Sequence, residues 1–140
     1  MSKQLVLFFA IFLLASGSVH AQSASRLKVD IPFDFFVNSN AFTAGTYTIK
    51  PVGVGGDAVV FRSTDSREAT VVPAWTQELD RAEHDSELVF QVSGDRYSLW
   101  QIWTQGYSEG LEFYIAYSQT QEANVAQPHV VVIKATLIEP

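Results

Sequence analysis

Few residues in this chain could do covalent chemistry. There is no cysteine, and of three histidines two lie beyond the leader, His84 in an acidic run and His129 beside Pro128. They are far apart in sequence and fit neither an H-x-H nor an H-E-x-x-H spacing, so no metal site is expected. Serines are plentiful, but none sits in a G-x-S-x-G turn that would present a nucleophile to a base. Asp30 and Asp34 share one side of an extended segment. At the rise of a strand they are about 13 Å apart, wider than the roughly 5–10 Å that paired carboxylates need for glycoside hydrolysis. Gly53, Gly55 and Gly56 suggest a phosphate loop, yet no Lys-Ser/Thr follows and the next run is β-rich. Glu78, Asp80, Glu83, Asp85 and Glu87 lack the central glycine and offsets of a calcium loop and read as a solvated turn. The expectation is no catalytic residue, no cofactor and no metal.

What remains is aromatic. Trp75, Trp100, Trp103, Tyr107, Phe113, Tyr114 and Tyr117 crowd the second half. Aromatic side chains favour strands and fill small β cores, so burial is the default reading. The alternative is an exposed platform, Trp100 with Tyr114 or Trp75, stacking on a sugar or an apolar ligand. A variant places Gln101 inside a barrel as the polar group that orients a guest. The candidate binding residues are Trp75, Trp100, Gln101, Trp103 and Tyr114.

These residues must be positioned by strands. Leu27, Val29, Ile31, Phe33, Phe35 and Val37 recur at every second residue, which predicts one long strand from Leu27 to Val37 with an apolar face. Pro32 marks it as an edge strand or a bent one. Asn38-Ser39-Asn40 reads as a turn, Thr46 to Lys50 as a second strand ended by Pro51, and Ala58 to Phe61 as a third. Glu68 to Thr76 follows as a fourth strand, with Pro73 again implying an edge or bulge. Leu88–Val92 and Tyr97–Trp103 flank Gly94-Asp95, a two-residue II′ hairpin loop. That register pairs Val92 with Tyr97, Phe90 with Leu99 and Leu88 with Gln101. It carries Trp103 on the core face and Trp100 on the outer one. Leu111 to Tyr117 alternates as a strand, and His129 to Leu137, apolar on both faces, as an inner one. Seven to eight short strands describe an all-β protein, an antiparallel sandwich or small barrel. Lys28, Asp30, Asp34, Gln91 and Ser98 on the faces opposite the core argue against a lipid-facing barrel.

The amino-terminal segment is an address. Lys3, the apolar run Leu5 to Ala15 and the small residues of Val19-His20-Ala21 form a secretory signal peptide with cleavage after Ala21. This divides the chain into 1–21, signal peptide, and 22–140, one β domain without a transmembrane segment. A domain of that length buries about 65% of its unfolded surface, sufficient without disulfides. The net charge of −6 argues against nucleic acid, which requires a basic patch.

Three motifs occur together: Ile31-Pro32-Phe33-Asp34-Phe35 leading to Val37, Ala44-Gly45-Thr46-Tyr47, and Gly94-Asp95-Arg96-Tyr97-Ser98-Leu99 followed by Trp103. The combination covers most of the mature chain. It resembles a family of small exported bacterial β proteins reading IPF-x-F-x-V, AG-x-Y and GDRY-x-L-x-x-x-W. The resemblance implies export, to the periplasm or the medium, and a β fold; it brings no functional residues with it. The aromatic stretch from Leu111 departs from the charged helical tail expected after Gly110. The functional expectation is a non-catalytic cell-envelope module, structural or protein-interacting, that offers the edge strand bearing Asp30 and Asp34 to an envelope protein. The alternative is a binder of a carbohydrate or small apolar ligand.

Overall fold

The computed structural model describes residues 26–53, 57–78, 84–115 and 129–138. They form twelve strands: β1 Arg26–Ile31, β2 Phe35–Val37, β3 Asn40–Phe42, β4 Gly45–Val52, β5 Ala58–Ser63, β6 Ala69–Pro73, β7 Trp75–Glu78, β8 Glu87–Ser93, β9 Arg96–Trp103, β10 Glu109–Glu112, β11 His129–Lys134 and β12 Thr136–Ile138. There is no helix among the described residues. The first sheet has the order β12-β1-β4-β5-β6. The second runs β11-β8-β9-β10-β7, and β2, with β3 beside it, joins β9. All pairings between these strands are antiparallel except the β2–β9 contact, where Phe36 meets Ser98; an isolated bridge between Asn38 and Ile115 is also parallel. The two sheets enclose one apolar core and do not close into a barrel.

The strand count exceeds the expected seven to eight because the chain changes sheet inside apparently continuous runs. Leu27, Val29 and Ile31 point into the core from the first sheet, Phe35 and Val37 from the second. The predicted single strand from Leu27 to Val37 is therefore two, parted at Pro32, which cannot donate to a ladder. Pro73 marks a second departure: β6 ends there, and after Ala74 the chain continues as β7 in the other sheet. Ala74 donates its N–H to the Asp57 carbonyl at 3.0 Å, so the crossing residue keeps a hydrogen bond. A third change, at Ala135, splits the predicted strand His129–Leu137 into β11 and β12, and Ala135 N–H is caught by the Ser86 carbonyl at 2.9 Å. β11 pairs with β8 and leaves Val130 and Val132 exposed, so it is not the inner strand expected.

Asp30 and Asp34 are also corrected. β1 lies between β12 and β4, and the Asp30 carboxylate accepts the Thr46 hydroxyl from β4. Asp34 lies between β1 and β2, where it accepts the Ala44 N–H at 2.8 Å. Pro51, expected to end a strand, sits within β4 opposite Val59.

The three motif segments converge in the core. Phe33 stacks on Tyr97 with centroids 3.9 Å apart, and meets Phe90 edge-on at 5.0 Å. Phe35 meets Phe90 at 5.7 Å and Tyr47 at 5.5 Å, both edge-to-face. On the opposite side of β2, the Arg96 guanidinium lies 3.9 Å over the Phe36 ring. Edge-to-face and cation–π geometries each add to simple burial. The motifs are thus parts of one packing unit.

Candidate functional site

The β8–β9 hairpin sets the geometry of the site. Gly94 takes φ +61° in the two-residue loop, a conformation that costs a glycine nothing. Val92 pairs with Tyr97 and Phe90 with Leu99, as the sequence predicts. Beyond that point the register slips. Val89 pairs with Gln101 and Leu88 with Ile102, leaving Trp100 as the extra residue of a β-bulge. The expected Leu88–Gln101 pair is therefore replaced. Because of the bulge, Leu99 and Ile102 both enter the core while Trp100 and Gln101 are half-buried.

The bulge reassigns two candidate residues. Gln101 shares a face with its neighbours Val89 and Glu112, outside the core, so it orients nothing inside a barrel. Its Oε1 instead accepts the Trp103 indole N–H at 3.2 Å. Trp103 therefore sits on the same side as Gln101, outside the main packed cluster, but it is buried as expected, its ring lying over Gly110.

The other three candidates come together. An open depression of about 620 Å³ on the outer face of the second sheet is lined by Trp75, Trp100 and Tyr114, with Gln77, Gln91 and Glu112. Trp75 begins β7 directly after the Ala74 crossing and faces Glu112 across the β7–β10 ladder. It is 57% exposed and Tyr114 is 61% exposed. Trp100 is half-buried, and its indole N–H donates to Glu112 Oε1 at 3.0 Å. The aromatic contacts of the core involve none of these three rings. Among the described residues these three rings do not stack on one another.

Asn38 positions two of them. It follows β2 with φ +53°, a left-handed conformation that asparagine tolerates. Its side-chain N–H donates to the Pro73 carbonyl at 3.1 Å, two residues before Trp75. Its Oδ1 accepts the Tyr114 backbone N–H at 2.9 Å. One amide thus ties together the segments that carry the two exposed rings.

Sequence reasoning did not single out Gln77, Gln91, Glu112 or Asn38. Glu112 was within reach, since it alternates with Leu111 and Phe113 and so must face away from the core. Asn38 gave only a turn signal, because its partners lie far away in sequence.

Among the described residues no group of three or more His, Cys, Asp or Glu is arranged to hold a metal ion. His84 and His129 are both exposed. Lys134, bonded to Asp85 at 3.0 Å and Glu87 at 3.3 Å, has its pKa raised by those hydrogen bonds. A smaller cavity of about 150 Å³ by Tyr47 and Phe61 includes Ser63 and Ser66. Their hydroxyls accept backbone N–H groups of the β5–β6 turn. No helix of the described residues is long and apolar enough to cross a membrane. No protein-family model matches the chain, and neither curated proteins nor solved structures give a match.

Proposed function

We propose that this chain is an exported, non-catalytic β module that binds a saccharide on the outer face of its second sheet. The observation that carries the reading is the exposure of Trp75 and Tyr114 beside a half-buried Trp100 that is hydrogen-bonded to Glu112. A sugar ring offers a C–H face to an aromatic surface and hydroxyls at its rim to amides and carboxylates. Gln77, Gln91 and Glu112 supply such groups around the rings. A small apolar ligand fits less well, since such guests are usually enclosed and this depression is open. The lining contains one carboxylate, whereas two-carboxylate hydrolysis needs a second. Export is supported by the leader-like run Leu5 to Ala15 and the small residues closing it at Ala21.

An envelope protein partner is the second reading. It cannot use the edge first expected, because β1 is flanked by strands on both sides. Val130 and Val132 favour it, exposed on β11 at the same face as Gln91 and Val89. The two readings separate by mutation. Trp75→Ala and Tyr114→Ala should each weaken saccharide binding by about three- to tenfold, the scale of one aromatic contact. Val130→Lys with Val132→Lys should leave it unchanged. Titration calorimetry against a panel of neutral and charged oligosaccharides is the test. No heat with any of them at millimolar concentration overturns the saccharide reading.

A further inference from the structure

We infer that the ligand carries a positive charge at Glu112, which makes an amino sugar with a free amine the preferred saccharide class. This rests on the saccharide reading and narrows it.

Among the described residues Glu112 is the single charged side chain lining the depression, and neither lysine nor arginine lines it. Its Oε1 is held by the Trp100 indole N–H at 3.0 Å, while its other oxygen has no hydrogen-bond or ion-pair partner among the described residues. The carboxylate is half-buried, so it is partly stripped of water, and no described residue neutralises it. Such a group gains most from a cation brought by the ligand, through a charge-assisted hydrogen bond.

The surrounding rings act in the same direction. Trp75 is the cross-strand partner of Glu112, Trp100 is bonded to it, and Tyr114 lies two residues along the chain. None of these rings is stacked on another in the structure. The π face of an aromatic ring is electronegative and attracts ammonium groups. A carboxylate with open aromatic faces around it is a cation-selective arrangement. The chain's net charge of −6 adds a general attraction for cationic ligands. An anionic uronic sugar meets the opposite among the described residues: a carboxylate and no basic group.

The experiment compares three oligosaccharides of equal length by calorimetry on the protein: glucosamine, N-acetylglucosamine and galacturonate oligomers. Mildly acid pH keeps the ligand amine charged. The glucosamine oligomer should bind about tenfold tighter than the acetylated one, as one charge-assisted hydrogen bond provides. That preference should shrink with added salt, and the galacturonate oligomer should bind most weakly.

Glu112→Gln isolates the charge, because the amide oxygen can still accept the Trp100 N–H. The variant should keep its unfolding midpoint and lose the preference, the amine and acetylated oligomers then binding alike. Equal affinities of the wild type for the amine and acetylated oligomers overturn the inference and leave the saccharide reading standing. So does a preference that survives Glu112→Gln. If none of the three binds the wild type, the saccharide reading falls and this inference with it.

Discussion

Asn38 bonds to Pro73 and Tyr114 through one side chain, and it does so from a left-handed backbone conformation. Asn38→Ala removes both hydrogen bonds and puts at a positive φ a residue that tolerates it less well than asparagine. The cost should be about 2–3 kcal/mol, from roughly 1 kcal/mol per hydrogen bond and a similar backbone term. Urea denaturation measures this, and Asn38→Gly should recover the backbone part while leaving the hydrogen bonds lost. Gly110 is constrained differently: a β-carbon there would collide with the Trp103 ring, which is itself buried. Gly110→Ala should destabilise by about 1–3 kcal/mol, the usual range for overpacking, and shift the Trp103 emission as the indole is displaced. Lys134 makes a contribution that depends on pH. Its hydrogen bonds to Asp85 and Glu87 raise its pKa above the ordinary value of 10.5. The stabilisation is therefore fully present below that ordinary value and is lost as pH rises through the raised one. Stability curves of the wild type and Lys134→Met should run parallel at neutral pH and converge in strong alkali. The lysine is exposed, so the separation between them should be small.

At the level of elements, the hairpin shows what alternation can and cannot carry. Gly94-Asp95 announces the turn and so fixes the pairs nearest it, Val92 with Tyr97 and Phe90 with Leu99. Trp100 does not announce the bulge. Alternation places Trp100 outside whether or not a residue is inserted, and the slip becomes apparent only at Gln101 and Ile102, whose faces are exchanged. The exchange puts a glutamine beside Trp103 instead of in the core. The run from Leu27 to Val37 hides its break for a related reason. A chain that passes from one sheet to the facing sheet keeps directing alternate side chains at the same core, so the period of two survives the crossing. Pro32 and Pro73 are the visible traces, and each marks the point where the chain leaves the first sheet. Ala135 leaves no such trace. The candidate site was partly legible: Trp75, Trp100 and Tyr114 share one depression, whereas its polar half depends on cross-strand neighbours that sequence distance conceals. Gly94 offers a test of the turn. Gly94→Val forces a β-branched residue to φ +61°, which should cost on the order of 1–2 kcal/mol, read as a lower urea midpoint without loss of strand signal.

For the molecule as a whole, stability is concentrated where the sheets face each other. Phe35, Phe61, Phe90 and Phe113 are among the largest fully buried side chains, and Phe90 touches both Phe33 and Phe35. Phe90→Ala should cost about 3–5 kcal/mol, a large share of the 5–15 kcal/mol typical of a single domain. Thermal unfolding followed by circular dichroism should show the variant unfolding many degrees below the wild type, with Phe90→Leu between them. The loss should extend to Trp75 and Tyr114, since the outer face is built on strands whose inner face Phe90 anchors. The pairing of β1 with β12 has a further effect, in mechanics. Arg26 lies opposite Ile138, and the two strands run antiparallel through only three paired positions. A load applied at these two strand ends pulls on neighbouring points, so the ladder opens one pair at a time like a zipper instead of resisting in shear. The first thing to yield under tension is thus a three-residue seam, and stretching a single molecule between Arg26 and Ile138 should peel β12 away at low force while the second sheet keeps the depression on its outer face.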